Sequence, residues 1–172
     1  MFKYFIVVAL LVFVPFEAYA KTIKIDGGGV VFNSPVGFEP LSQRMMRAKF
    51  PSNGAPQNVI GNSLATTTIA YDIKNHKLSQ TTLGYTRDDL LKTLPKLIPG
   101  LVWKQNKIIR HSGQKWIYLE MTSKAVDTGI YNIMMVTDYK GKMLMFNFNS
   151  TIEDFTRYER ELRKSIFSIE IK

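Results

Sequence analysis

The chain has 172 residues, which is room for one ordinary domain. Hydrophobic residues make up 45% of it and charged residues 22%, a globular balance that excludes disordered and fibrous classes. With no cysteine and only two histidines, the sequence excludes disulfides, thiolate metal sites and cysteine nucleophiles, and it leaves little for metal or general-base chemistry.

The first twenty residues have the pattern of a secretory signal peptide. Lys3 gives the start a positive charge, residues 5–16 are apolar, and Ala18-Tyr19-Ala20 places small residues before a cleavage point. The apolar run is shorter than the roughly 20 residues of a membrane span, although an uncleaved anchor or a buried helix is the alternative. We expect cleavage between Ala20 and Lys21, a single mature domain of residues 21–172 in the periplasm or outside the cell, and no stable membrane insertion.

The mature chain is strongly basic. Without Lys3 and Glu17 it keeps 22 basic and 13 acidic residues, a net charge of +9. Such a charge favours an anionic protein or envelope component as partner, and export argues against nucleic acid. Scattered surface lysines that serve solubility are the alternative.

The first half of the mature chain is predicted to contain short strands and one helix. Pro51 should end the helix, which Ser42 caps, and residues 51–63 are rich in Pro, Gly, Asn and Gln and are predicted to be a loop. The predicted elements are strands at 22–25 and 30–32 around a turn at 27–29, an extended segment at 36–39, and a helix at 43–50.

A strand and a second helix follow. Residues 65–73 are rich in Thr, Ile and Tyr, which favours a strand, and residues 75–84 are polar. Thr86 and Asp89 resemble a capping box, and the leucines that follow have the spacing of one buried helix face. Pro95 should kink or end this helix.

The last part of the chain is predicted to be a meander of strands, a helix and a closing strand. Leu144, Phe146 and Phe148 point to one side of their strand and Met143 and Met145 to the other, so this strand should be covered on both faces. The fold class is therefore α+β, with helices packed on an antiparallel sheet. The predicted elements are strands at 102–109, 114–122, 130–137 and 143–149, turns at 111–113 and 138–141, a helix to about Ser165 after a Ser150–Glu153 capping box, and a strand at 167–171.

These segments resemble the Mog1/PsbP-like fold group. Residues 30–38 read VVFNSPVGF, like the opening of such domains, and the later strand–Gly113–strand unit, the Lys140-Gly141 turn and the closing Ser165–Ile169 segment are similar to their second half. The resemblance implies an α/β/α sandwich around an antiparallel sheet. Members such as PsbP-related and DcrB-like exported bacterial proteins are mostly binding or accessory proteins, and no catalytic residue carries over.

No catalytic, metal or cofactor site is predicted from the residues. Residues 27–29 lack phosphate-loop spacing, His76 and His111 stand alone in polar segments, and Asp88 and Asp89 suit the first turn of a helix. Five methionines on neighbouring strands indicate core packing, with an adaptable binding face or Cu(I) ligation as alternatives. They are Met121, Met134, Met135, Met143 and Met145.

The least compensated positive charge lies in the predicted helix at 43–50. Arg44, Arg47 and Lys49 occur there without an acidic residue, and Lys74 and Lys77 follow in a later segment. The C-terminal helix differs, since two of its arginines, Arg157 and Arg163, have glutamates four residues before them. We expect an anionic partner to dock on these five cations.

The sequence favours an exported, non-enzymatic binding or accessory protein that acts through protein–protein interaction. An immunity-type inhibitor of an envelope-acting toxin is the main alternative. A small-molecule carrier with a pocket between helix and sheet, or a hydrolase, would be further alternatives.

Overall fold

The structure, a computed structural model, describes residues 20–50, 55–125 and 127–172. The predicted signal peptide up to Tyr19 and the predicted helix stop at Pro51 lie outside the described residues. The strands are β1 (Thr22–Ile25), β2 (Val30–Asn33), β3 (Glu39–Pro40), β4 (Asn58–Gly61), β5 (Thr67–Lys77), β6 (Val102–His111), β7 (Gln114–Lys124), β8 (Gly129–Tyr139), β9 (Lys142–Thr151) and β10 (Glu170–Ile171). The α-helices are α1 (Gln43–Lys49), α2 (Leu83–Leu97) and α3 (Ile152–Phe167).

The strands form two antiparallel sheets. The large sheet has the order β3-β4-β5-β9-β8-β7-β6, so the predicted meander from β6 to β9 occupies one half of it. The small sheet has the order β1-β2-β10, in which Val31 pairs with Glu170. The predicted closing strand at 167–171 is thus shorter than expected and pairs in a second sheet, because α3 continues to Phe167.

Both predicted hairpin turns have the tight geometry that suits antiparallel strands. Ser112 and Gly113 join β6 to β7 with φ angles of 47° and 78°, and Lys140 and Gly141 join β8 to β9 with φ angles of 53° and 75°. Two successive left-handed residues match the right-handed twist of the strands, and glycine takes that conformation without a Cβ clash.

The large sheet is covered on both faces, as the alternation in β9 predicts. Leu144, Phe146 and Phe148 are buried against α3 and the small sheet. Met143 and Met145 pack on the opposite face, in the cluster that includes the leucines of α2. The architecture is therefore an α+β fold with the predicted α/β/α layering.

Strand β4 lies where the sequence predicts a loop. Val59 and Ile60 are buried there, and β4 pairs with both β3 and β5. An added Cβ at Gly61 would lie 2.8 Å from the backbone oxygen of Thr67, so this strand pair closes only because residue 61 has no side chain. The four residues of β4 are flanked by turn-forming residues and are too few to show the alternation that predicts a strand.

Both long helices begin at other residues than predicted. Helix α2 starts at Leu83, so Thr86 lies inside it, where its hydroxyl donates to the backbone oxygen of Thr82. Pro95 is accommodated in the last turn, and α2 ends at Leu97. Helix α3 is capped by Thr151, whose Oγ1 accepts from the backbone N–H of Asp154, because Ser150 is buried beside Thr67.

Candidate functional site

Helix α1 presents an arginine pair to solvent. Ser42 caps the helix by accepting from the backbone N–H of Met45, and Met45 and Met46 are half-buried on its inner side. Arg44 and Arg47 are exposed on the outer side, one turn apart. Their charges lie on one face, with no acidic residue anywhere in α1.

The other three cations of the predicted docking site lie in different surroundings. The Nζ of Lys49 donates to the backbone oxygen of Ala65 at 3.0 Å, and burial lowers the pKa of this lysine. Lys74 forms an ion pair with Asp72 at 2.5 Å. Lys77 is exposed at the far end of β5, about 30 Å from the Thr68 end where Lys49 lies, at ~3.3 Å per strand residue. The structure therefore keeps Arg44 and Arg47 together and does not place all five cations in one patch.

A small cavity lies beside α1, on the sheet face that α2 covers elsewhere. Its volume is about 220 Å³. Strands β5 and β9 form one wall, where Thr68 pairs with Asn149 and Ala70 with Asn147. The remaining lining residues are Lys49, Phe50, Ala125 and Ile130. The cavity is thus part polar and part apolar, with one cationic side chain at its edge.

Two buried polar atoms, which belong to residues that line the cavity, have no hydrogen-bond partner among the described residues. They are Oγ1 of Thr68, a residue only 1% exposed, and Oδ1 of Asn147. The neighbouring polar groups are paired: Asn149 donates to Asn132, and Asn132 donates to Ser123. An unpaired buried polar atom costs about 1–3 kcal/mol of folding stability.

The cavity residues were not singled out from the sequence, although one signal was present. Asn147 and Asn149 alternate with Phe146 and Phe148 in β9, so one face of this strand changes from methionine to asparagine halfway along. That change marks where the α2 side of the sheet ceases to be apolar. Thr68 and Lys49 carry no comparable signal, because only the fold brings them next to β9.

A buried carboxylate, Glu120, lies on the opposite sheet face beneath α3. It is 2% exposed and accepts hydrogen bonds from the hydroxyls of Tyr118 at 2.7 Å and Tyr131 at 2.5 Å. Arg163 of α3 donates to it at 2.7 Å and also pairs with Glu159. The sequence predicts only the Glu159 pair, because that partner lies one turn away on the same helix.

The Glu120 network holds its charges in place. Burial acts to raise the pKa of Glu120, but hydrogen bonds from Arg163, Tyr131 and Tyr118 outweigh it, so the pKa lies below its usual value. Burial and the bond to Glu120 raise the pKa of Tyr131 to about 12, so this tyrosine stays protonated as a donor. The network fastens α3 to β7 and β8, with the carboxylate of Glu120 buried and the side chain of Arg163 partly exposed.

The histidines and methionines have structural positions. His111 Nε2 lies 2.8 Å from the backbone oxygen of Ile169, which fastens the end of β6 to the segment before β10, and His76 is exposed. Four of the five methionines pack on the α2 side and Met135 on the α3 side, as the packing interpretation predicts. Within residues 20–50, 55–125 and 127–172, no group of three or more His, Asp or Glu side chains is close enough to hold a metal ion. No helix in this part of the chain is long and apolar enough to cross a membrane.

Solved structures that share this architecture include those of three proteins. The cyanobacterial PsbP protein (CyanoP) of Synechocystis is 14% identical, with a TM-score of 0.61 over 90% of this chain and 94% of that one. LpqN of Mycobacterium tuberculosis, involved in cell envelope biogenesis, is 12% identical, with a TM-score of 0.58 over 90% and 91%. The Ran-binding protein Mog1p of Saccharomyces cerevisiae is 10% identical, with a TM-score of 0.52 over 90% and 96%.

These similarities define the fold group. No protein-family model matches the sequence, and no curated protein sequence matches it either. The likeness is therefore one of structure, and it extends over nine-tenths of the chain. The chain has the Mog1/PsbP-like fold, as the resemblance in its strand and turn segments implies.

Proposed function

We propose that this chain is an exported, non-enzymatic binding or accessory protein that acts by protein–protein interaction. The observation that carries the proposal is the exposed pair Arg44 and Arg47 on α1, which is free of neighbouring carboxylates within its own helix. Among the structural neighbours, Mog1p is a Ran-binding protein and LpqN is involved in cell envelope biogenesis. Those roles support a binding function by analogy of fold.

The proposed site of action is the periplasm or the outside of the cell. The charged, apolar and small-residue order of residues 1–20 supports export. The proposed partner is an anionic protein or envelope component, because the mature chain carries a net charge of +9. An immunity-type inhibitor of a toxin is a special case of this proposal, with the toxin as the acidic partner.

The arginine pair suits recognition of carboxylates better than the other cations do. Several exposed lysines are already paired with acids: Lys21 with Glu39, and Lys140 with Asp26. The guanidinium groups of α1 are exposed, although Arg47 donates one long bond of 3.4 Å to Gln43 Oε1, and their planar donor forks suit bidentate bonds to a partner's Asp or Glu. Charges at the rim of an interface mainly set the association rate and its salt dependence.

Affinity capture of the purified protein from an envelope extract identifies the partner, and association kinetics then test the site. The double variant Arg44→Glu, Arg47→Glu should slow association at least tenfold at low salt and less at physiological salt. The matched control is Arg157→Glu, Arg160→Glu, which makes the same charge change on exposed α3 residues with the same spacing. An unchanged rate in the α1 variant, or equal slowing in both, would refute docking at α1.

A further inference from the structure

We propose that strand β6 is a docking edge, to which an extended acidic segment of a partner protein adds as a further strand of the large sheet. The proposal rests on the proposed function of binding an anionic protein and gives it a second contact surface. In the order of the strands, β6 lies four strand spacings, about 19 Å, from β5, beside which α1 lies. Strand addition binds a peptide by main-chain hydrogen bonds and selects it by its alternate side chains.

Strand β6 is the longest sheet edge in the described part of the chain. It has ten residues and pairs there only with β7, whereas the opposite edge strand, β3, has two residues and one of them is Pro40. The edge strands of the small sheet have four and two residues. Short strands and prolines protect sheet edges from pairing. Strand β6 has no proline, and after a bulge at Lys104 its pairing is regular from Gln105 to His111.

The turn after β6 determines which main-chain groups point away from the sheet. His111 and Gln114 flank a two-residue turn, so they exchange hydrogen bonds, and every second residue back from His111 also bonds to β7. The opposite strand agrees, because the main-chain N–H and C=O of Lys115 bond to the side chains of Gln80 and Thr137, away from β6. No main-chain bond from another described element reaches the outward groups of β6. These groups belong to Asn106, Ile108 and Arg110.

The charge of this edge selects an acidic segment. Strand β6 carries Lys104, Lys107 and Arg110 and no acidic residue. None of the three forms an ion pair among the described residues. Arg110 also lies directly opposite Lys115 in the register, an unfavourable pairing of like charges that a carboxylate on an added strand would offset. The same cations repel a second copy of β6, so the edge favours a different, acidic chain.

Two isoleucines define what lies between the carboxylates. Ile108 is half-buried against the α2 side of the sheet, and Ile109 is half-buried against the α3 side. An added antiparallel strand would cover both with the residues that lie directly opposite them. Lys107 and Arg110 are three residues apart and enclose the two isoleucines. The segment that fits therefore has the order acidic, apolar, apolar, acidic.

The synthetic peptide acetyl-Thr-Glu-Val-Val-Glu-Thr-amide is the probe, titrated into the ¹⁵N-labelled protein at low salt. It should give saturable amide shifts and slower hydrogen exchange at Asn106, Ile108 and Arg110. Methylation of the main-chain nitrogen of the second valine removes an N–H that would bond to Ile108, so it should weaken binding by about tenfold or more. The same methyl group on the first valine replaces an N–H that points away from β6, and it should change binding by less than about twofold.

Three variants of the protein locate the binding edge. Lys107→Glu, Arg110→Glu should weaken binding by about tenfold or more at low salt. The matched control, Arg44→Glu, Arg47→Glu, makes the same charge change on α1 and should weaken it by less than about threefold. Asn106→Pro removes one outward N–H, so it should also weaken binding by about tenfold or more and still melt within about 5 °C of the parent.

Two results would overturn the proposal. Equal effects of the two methylated peptides, or shifts centred outside β6 and β7, would show charge attraction without strand addition. Absence of saturable binding by the unmethylated peptide would mean that the cations of β6 serve only to keep the edge from pairing. Neither result bears on docking at α1, because that docking is tested with the captured partner and not with the peptide.

Discussion

Replacing Arg163 with methionine removes the cation that pairs with the buried carboxylate of Glu120. Methionine retains most of the aliphatic packing of the arginine side chain, so the change isolates the loss of charge and hydrogen bonds. Arg163 donates to Glu120 Oε1 at 2.7 Å, and its side chain is 33% exposed while that of Glu120 is 2% exposed. The variant therefore leaves an ionised carboxylate in the interior with two tyrosine hydroxyls as its remaining donors.

Breaking a buried ion pair by removing one partner costs about 3–5 kcal/mol. Arg163 is partly solvated and the two tyrosine bonds survive, so we expect the low end, about 3 kcal/mol of unfolding free energy at pH 7. Removing the charge of the other partner, in Glu120→Gln, should lower the unfolding free energy by less, about 1–2 kcal/mol. In that variant Arg163 keeps its bond to Glu159 and its contact with water.

The loss of unfolding free energy in Arg163→Met should depend on pH. In the parent the folded pKa of Glu120 is lowered, so its stabilising contribution is present above the unfolded pKa and is lost as pH falls through the folded value. In Arg163→Met burial becomes the dominant influence and raises the folded pKa above the unfolded one. The variant is then penalised most at pH 7, and its deficit relative to the parent should shrink as pH falls towards 4.

Urea unfolding at pH 7, 6, 5 and 4 measures both effects. Lys164→Met is the matched control: it removes a neighbouring cation whose ion pair with Glu161 is largely exposed, and it should cost no more than about 0.5 kcal/mol. A loss below 1 kcal/mol for Arg163→Met at pH 7, or a loss that stays constant down to pH 4, would contradict the argument for a buried network.

Three further predictions concern the core, a close backbone approach and the start of the mature chain. Phe146→Ala should lower the unfolding free energy by about 3–5 kcal/mol in urea titrations, because Phe146 is fully buried; a loss near zero would disprove coverage of that sheet face. Gly61→Ala should cost about 1–3 kcal/mol in the same assay, since the new Cβ would lie 2.8 Å from backbone and side-chain atoms of Thr67 and Thr68, and unchanged stability would mean that β4 and β5 separate easily. Exported protein should begin at Lys21, and an intact mass that retains residues 1–20 would contradict signal-peptide cleavage.

The fold could be predicted well wherever the pattern was local. The alternation of Leu144, Phe146 and Phe148 with Met143 and Met145 sufficed to predict a strand covered on both faces, because strand geometry fixes the side of each residue. Both hairpin turns were likewise encoded by short segments that contain Gly113 and Gly141. Strand β4 was missed because its burial depends on β5 and β3, not on its own four residues.

The candidate sites depend on contacts that no local pattern encodes. Glu159 could be assigned to Arg163 by helix spacing, but Glu120 lies 43 residues away and meets it only when α3 packs on the sheet. The cavity similarly combines Lys49 at the end of α1 with Thr68 of β5 and Asn147 of β9. The exposed arginine pair of α1 could be predicted, because helical spacing alone decides that Arg44 and Arg47 share a face.

The small sheet has a consequence for the order in which the chain can fold. Strand β2 has β10 as a neighbour, and the backbone N–H of Asn33 bonds to Ser168, which is 135 residues further along. A chain that crosses a membrane N-terminus first keeps β2 without this partner until nearly all of its residues have passed through. Contacts of such long sequence separation form slowly, since a large loop must close before they contribute. On the proposed export route the polypeptide would arrive incompletely folded, and closure of the small sheet would be a late folding step on the far side of the membrane.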